Sequence, residues 1–383
     1  MEITFLIGNG FDIGLGMRTQ YSQFIPRYIK NGKNKSTVLK DFSEQLGKNI
    51  DKWSYFEKQI GEYTLEFSKD NKYDLIDQLE DFEKEFIAYL LEEESKLEFN
   101  DSDKIGQFFQ ETILKFYETL HPESITSIKE VFKTYRASGH NYNFISFNYT
   151  QALDKCLEKI PNKKINTRKV SNTIYTDTVG KVVHVHGLCN QFPLIGLNDV
   201  EQIKNSELAN NPEFVKYLIK PSLNKLHRMG NASNASKMID TSKIICIYGM
   251  SLGETDLLWW NKLVAWLNGG NDRHLIVFEH DDHFSRSSQF GWIRKMDSLI
   301  DKLQSYNKNP GIKLESLRDR IHLSLKDIFA YPLLEKESNN QIESFEHKIE
   351  KLQDKVYKTT QIYIGKEERS NAKEGDIWVQ VVE

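Results

Sequence analysis

The sequence predicts an α/β fold in which a parallel sheet is covered by helices on both faces. Five short apolar runs, Ile3–Ile7, Phe144–Phe147, Val182–Val185, Ile244–Tyr248 and Leu275–Phe278, are too continuous for half-exposed strands and read as buried ones. Helical spacing fills the stretches between them. The first run also stops abruptly in "GNGFDIGLG", a small-residue turn where an open parallel sheet places its ligands.

Taken in order, "MEITFLIGNGFD" carries no basic segment ahead of its apolar run and reads as a first strand rather than a signal peptide. From about residue 37 to 138 no strand pattern occurs. Leu75, Leu79, Phe82, Phe86 and Leu90 recur at steps of three and four, as do Phe109, Ile113, Phe116 and Leu120. This acidic stretch is therefore expected to be a helical insertion stacked beside the sheet. Asn210–Met238 reads as a helix followed by a polar loop, "GNASNAS". After residue 335 the composition changes. Ile342, Phe345, Ile349, Leu352 and Val356 follow the pattern of a coiled-coil seam, and Ile362–Ile364 and Trp378–Val382 are strand-like. The expected division is an α/β domain over 1–335 and an appendage over 336–383 that decorates the core or mediates assembly.

Bulk composition narrows the function classes. With 39% hydrophobic and 12% aromatic residues, the 383-residue chain can build a genuine core. A formal charge of -4 gives no overall basic field, so neither nucleic acid nor an anionic membrane is an expected partner. No apolar segment approaches the roughly 18 residues that span a bilayer. Cys156, Cys189 and Cys246 are odd in number and scattered, which argues against a disulfide framework and a structural zinc site. A soluble protein of a reduced cytoplasm is the expectation.

Four strands end in unusual polar residues. The first runs into Gly8-Asn9-Gly10-Phe11-Asp12, where glycines permit close ligand approach and Asp12 alternatively caps a helix. The second ends in "ISFNYT", with Asn148 at its tip before the helix Gln151–Leu157. The third ends in "VVHVHGL", where His184 and His186 share one strand face and His186 stands at the end. The fourth leads into "IYGMSLGETD", a second small turn built on Gly249, Ser251 and Gly253. Asp256 then opens the apolar helix "LLWWNKLVAWL".

The conjunction is more specific than its parts. G-N-G-F-D with a downstream G-M-x-T-x-Y-x-x-F, then F-N-Y-T, H-G and Y-G-x-S-L, in that order at strand ends, resembles the sirtuin-like NAD-binding proteins. The opening stretch and chain layout resemble more closely the AbiH-like phage abortive-infection proteins. The likeness covers roughly residues 1–30 and 140–285. It implies a Rossmann-like, sirtuin-like sheet with a large helical insertion and a C-terminal helical and β appendage. Two departures stand out. The "N-x-D" element of the sirtuins is here Asn148-Tyr149-Thr150, without the acid, and the zinc module is absent.

By that resemblance, Gly8, Asn9 and Gly10 cradle the pyrophosphate of NAD, while Phe11 and Asp12 shape the pocket entrance. Asn148 holds the nicotinamide-side ribose or orients water, and His186 acts as general base, a task suited to a pKa near neutrality. Ser251, in the turn with Gly249, meets the adenosine side or a phosphate, and Asp256 lies beside it. The implied activity is hydrolysis of NAD to ADP-ribose and nicotinamide in phage defence. NAD is a substrate, no metal is required, and activity is gated by homo-oligomeric assembly or by a phage-derived trigger, with the helical insertion and the C-terminal segment as the candidate gates. Two competitors keep part of this picture. One is a silent sensor of NAD or ADP-ribose. The other is a metal-dependent nuclease built on "FEHDDHF", Glu279 to His283 with Phe278 and Phe284. Dehydrogenase chemistry is disfavoured, because the glycine turn lacks the full G-x-G-x-x-G fingerprint.

Overall fold

A computed structural model describes residues 1–32, 56–227, 230–253, 256–279, 289–334, 362–365 and 377–380. It divides into two compact units, Met1–Leu333 and Leu334–Glu383. In the first unit, strand β1 (Glu2–Ile7) leads through α1 (Gly10–Gly14) and α2 (Tyr21–Gly32) into the helical stretch. That stretch holds α3 (Phe56–Tyr63), α4 (Lys72–Ser95), α5 (Ser102–Lys115) and α6 (Pro122–Thr134), with no strand among its described residues. Strand β2 (Asn141–Ser146), helix α7 (Ala152–Glu158), β3 (Lys164–Val170) and β4 (Thr173–His184) follow. Helices α8 (Ser206–Ala209), α9 (Pro212–Leu218), α10 (Lys220–Leu226) and α11 (Asn231–Thr241) then lead to β5 (Ser242–Tyr248). The unit closes with α12 (Leu257–Asn268), β6 (His274–Phe278), α13 (Gln289–Tyr306) and β7 (Ile321–Ser324).

The seven strands lie in the order β3-β4-β2-β1-β5-β6-β7. Every neighbouring pair is parallel except β3 with β4. Leaving out β3, the parallel strands run third, second, first, fourth, fifth, sixth in chain order, the arrangement of a doubly wound sheet. The chain winds outward from β1 to β4 and then crosses back to lay β5 on the other side of β1. Its switch point is therefore the boundary between β1 and β5.

Three differences from the sequence reading have simple causes. Strand β3 and the start of β4 form an antiparallel edge with alternating exposure, so they contain no continuous apolar run. Strand β7, "IHLS", is fully buried but only four residues long. The polar stretch "GNASNAS" is not a loop: from Asn231 it forms the first turns of α11, which buries Ala235, Met238 and Ile239. Small polar residues there stay on the outer turns while the apolar ones reach the core.

Each face of the sheet has its own core. Leu6, Ile145, Ile245, Ile247 and Val277 pack against Trp260, Leu263 and Leu267 of α12 and Leu299 and Leu303 of α13. On the other face Phe5 meets Phe144, Phe116 and Phe329 with ring centres 5.3 to 5.9 Å apart. Such fully buried rings contribute roughly 1.5–3 kcal/mol each. A further core joins the insertion to the segment before α10: Phe24, Leu75, Phe82, Phe86 and Leu90 pack with Leu197, Leu208 and Phe214. The helical spacing of residues 75 to 90 lies on α4 as expected. In the second unit, β8 (Ile362–Gly365) and β9 (Ile377–Gln380) pair in parallel. The heptad-like residues Ile342 to Val356 lie outside the described residues.

Candidate functional site

Register decides what meets at the top of the sheet. The pairings align His184, Ser146, Ile7, Tyr248, Phe278 and Ser324 in one row across six strands. All six strands therefore end at one level. Two residues past the row stand Asn9, Asn148, His186 and Lys326, and all four line one cleft of about 1030 Å³. Gly8, Gly10, Asp12, Gly249, Ser251 and Asp256 line it too. The structure thus gathers every proposed site residue around one cavity except Phe11. That ring is 0% exposed and packs on Phe109 and Phe329, so it belongs to the core beneath the site rather than to an entrance.

The two glycine turns are locked to each other. Gly8 N donates to Tyr248 O and Gly10 N to Gly249 O, each at 2.9 Å. A methyl on Gly10 would come within 2.5 Å of the Gly249 α-carbon, and Gly249 itself has φ +68°. Backbone-to-backbone contact therefore requires both glycines. These two amides are engaged within the protein rather than aimed at a ligand. Asn9 is bound to Thr19 twice: it accepts from Thr19 Oγ1 at 2.6 Å and donates to Thr19 O at 3.1 Å.

Asp12 does not cap a helix. Asn9 holds the position ahead of α1, while Asp12 lies buried in its first turn. Its carboxylate accepts from Asn148 Nδ2 at 2.9 Å and from Thr150 Oγ1 at 2.8 Å. Asn148 Nδ2 also donates to Gly8 O at 3.1 Å. Asp12 thus places a carboxylate directly against the Asn148-Tyr149-Thr150 segment. Burial pushes the Asp12 carboxyl up to about 7, with Glu94 adding to the rise and the bonds from Thr150 and Asn148 opposing it.

His186 is buried between Phe147, 5.5 Å away edge-on, and Tyr149 at 6.2 Å. Burial, with the Lys220 ammonium nearby, holds its imidazole well below the usual range. The expected near-neutral titration is not what this setting provides: His186 stays neutral, a permanently available but weak proton acceptor. His184 faces elsewhere and meets Asp154 Oδ2 at 2.8 Å. Of the two histidines, only His186 lines the cleft.

Several lining residues are not among the site candidates read from the sequence. Lys220, in "YLIKPSL", is 4% exposed and brings an ammonium to the wall beside His186. Tyr21 and Phe86 stack at 4.8 Å and bring the insertion to the cleft edge. Below the rim, neighbouring carboxylates at the end of α4 tie down both site loops. Glu93 accepts from the Arg18 amide at 2.9 Å, and Glu94 from the Gln151 amide at 3.1 Å and from Lys155 Nζ at 2.5 Å. On the opposite side Lys302 donates to Ser251 O at 2.8 Å, and Tyr248 OH donates to Asp327.

Among the described residues, no three His, Cys, Asp or Glu side chains are grouped to hold a metal ion. His280 to His283 of the "FEHDDHF" stretch lie outside them. The three cysteines are free thiols. No described helix is long and apolar enough to cross a membrane.

No curated protein matches the chain. A family model described as bacteriophage abortive infection AbiH matches residues 4–278, well over half of the sequence. That span runs from β1 to the end of β6 and includes the insertion, Asp12, Asn148, His186 and Lys220. The chain belongs to the AbiH family of phage abortive infection.

Proposed function

We propose that the cleft binds NAD in a sirtuin-like manner and hydrolyses its nicotinamide–ribose bond when phage infection triggers it. The observation that carries this reading is the row of strand ends. At the switch point of a doubly wound sheet, it sets Asn148 and His186 beside paired glycine turns in a cleft of dinucleotide size.

In the reaction the C1′–N bond breaks and its electron pair neutralises the pyridinium nitrogen of the leaving nicotinamide. Water oxygen bonds to C1′ of the oxocarbenium-like ribose and releases one proton, giving ADP-ribose. Asn148 orients the ribose or the water. Neutral His186 takes the proton and passes it to solvent. Lys220 adds a cation for a ligand phosphate. The aromatic wall of Tyr21, Phe86, Tyr149 and Phe147 suits a planar ring.

The low basicity of His186 favours a second reading, in which the cleft binds NAD or ADP-ribose without turnover and signals to a partner. One experiment separates the two. Nucleotides are profiled in infected cells carrying the wild type, Asn148→Ala or His186→Ala. Loss of NAD with matching ADP-ribose only in the wild type supports hydrolysis. Intact NAD, together with NAD-dependent thermal stabilisation of the pure protein, supports the sensor. Intact NAD without stabilisation sinks both.

A further inference from the structure

We propose that Asp12 is a positioning residue that fixes the polarity of Asn148, so that Asn148 meets the ligand as a hydrogen-bond acceptor and the group opposite it is a hydroxyl or a water. The ligand identity rests on the NAD reading above; the polarity does not.

The Asn148 carboxamide has two N–H hydrogens, and both partners lie on the protein side: Gly8 O at 3.1 Å and Asp12 Oδ1 at 2.9 Å. No described donor reaches its Oδ1. Yet no buried side-chain oxygen or nitrogen among the described residues lacks a partner, so Oδ1 is open to the cleft that Asn148 lines. Turning the amide over would press Oδ1 against both the Asp12 carboxylate and Gly8 O. Two buried acceptor–acceptor contacts would replace two bonds. Only the observed orientation survives while Asp12 is ionised.

Asp12 is itself held. Thr150 Oγ1 occupies its second oxygen at 2.8 Å, and the side chain is 1% exposed. An ionised carboxylate can only accept, so it dictates donor character in Asn148; a protonated one can donate and removes that restriction. The consequence for recognition is selective. A ribose hydroxyl or an attacking water satisfies Oδ1, whereas a phosphate or carbonyl oxygen at that point is rejected.

The test has an arm that needs no ligand. The Asn148 side-chain amide is identified by its loss in Asn148→Ala and followed by ¹⁵N NMR from pH 5 to 9. Its resonances are expected to shift with one transition near pH 7, absent in Asp12→Asn. Charged and titratable groups facing Asp12 include Glu94 with Lys155 on one side, His184 with Asp154 on the other, and the Cys156 and Cys189 thiols. The transition must therefore persist in Glu94→Gln and His184→Gln. Should Asp12→Asn not fold, Thr150→Val removes one donor from the carboxylate and must move the transition to higher pH. An Asn148 amide indifferent to pH, or a transition that survives Asp12→Asn or is unmoved by Thr150→Val, overturns the proposal.

The second arm compares NAD with analogues lacking the 2′- or 3′-hydroxyl of the nicotinamide ribose, by calorimetry. At least tenfold weaker binding of one analogue to the wild type, shrinking below threefold in Asp12→Asn, supports the assignment. Equal binding of all three overturns the ribose hydroxyl as the group opposite Oδ1 and leaves the water. If the wild type ignores NAD while the amide titrates, the nucleotide reading falls and the positioning role stands.

Discussion

Asp12 and Asn148 stand 136 residues apart in the chain and are joined by a buried hydrogen bond of 2.9 Å at the heart of the cleft. The bond links α1, which follows β1, to the loop after β2, and β1 and β2 are neighbouring strands at the centre of the sheet. It couples fold to function, because the contact that aims Asn148 at the cavity also holds those two segments together.

Asn148→Asp keeps the shape and replaces a donor with a second carboxylate. Two buried carboxylates then face each other and share a proton in the native state. The native protein binds more protons than the unfolded chain, so its stability falls as pH rises. At pH 8 the variant is expected to lose about 3 kcal/mol or more, and at pH 5.5 much less. Urea unfolding at the two pH values measures the difference. A loss that does not vary with pH would show that the Asp12 contact is not what the substitution breaks.

Glu94→Gln tests the wiring from the insertion to the site. The Glu94 charge helps to raise the Asp12 carboxyl to about 7. Removing it should lower the midpoint of the Asp12 transition by roughly half a unit, as expected for a charge acting at short range in a partly screened interior. The same change weakens the contact with Lys155 and loosens Gln151. The Asn148 amide titration reads the first effect, and hydrogen exchange at Gln151 the second. An unmoved midpoint would mean that Glu94 has only a mechanical role.

Much of this architecture is legible in the sequence, for a physical reason. Strands β1, β2, β5 and β6 are buried on both faces and advertise themselves as unbroken apolar runs, and in an open parallel sheet their ends mark the ligand site. Alternating exposure hid β3 and the start of β4. "LLEEES" reads as a solvated acidic run, yet Glu93 and Glu94 are 2% and 7% exposed and hold loop amides from two other segments. Lys220 lies in an ordinary helix start, and only the tertiary fold brings it to His186. Charges whose partners are distant in sequence leave no periodic trace.

Gly249→Ala separates backbone strain from collision. Gly249 has φ +68°, and a methyl there would lie 2.8 Å from the Gly10 α-carbon. Gly230 has nearly the same φ, +65°, but a methyl there meets nothing within 4 Å. Gly230→Ala should therefore cost about 1 kcal/mol from conformation alone. Gly249→Ala should cost at least about 2 kcal/mol and displace the Gly8–Gly10 turn. Denaturant unfolding gives both values. Equal losses would mean that the two turns separate freely and that their packing does not shape the cleft.

The far end of the sheet supplies a pH dependence unrelated to the cleft. His274 and His322 are buried edge to edge with nearly parallel rings, Nδ1 and Nε2 2.9 Å apart. Burial lowers His274 to about 4, with Arg320 adding to the fall and Asp272 opposing it; burial and then His274 lower His322 to about 3. Their ordinary value in the unfolded chain is about 6.5. As pH falls from about 6.5 to 4, the unfolded chain takes up two protons that the native state refuses, so stability declines across that window. The slope is up to about 1.4 kcal/mol per pH unit for each histidine. The double variant His274→Gln/His322→Gln removes both titrations and leaves an amide pair to bond in their place. Its unfolding free energy at pH 7, 6 and 5 should fall less steeply than that of the wild type. Parallel slopes would show that the pair takes up protons in the folded state as readily as in the unfolded chain.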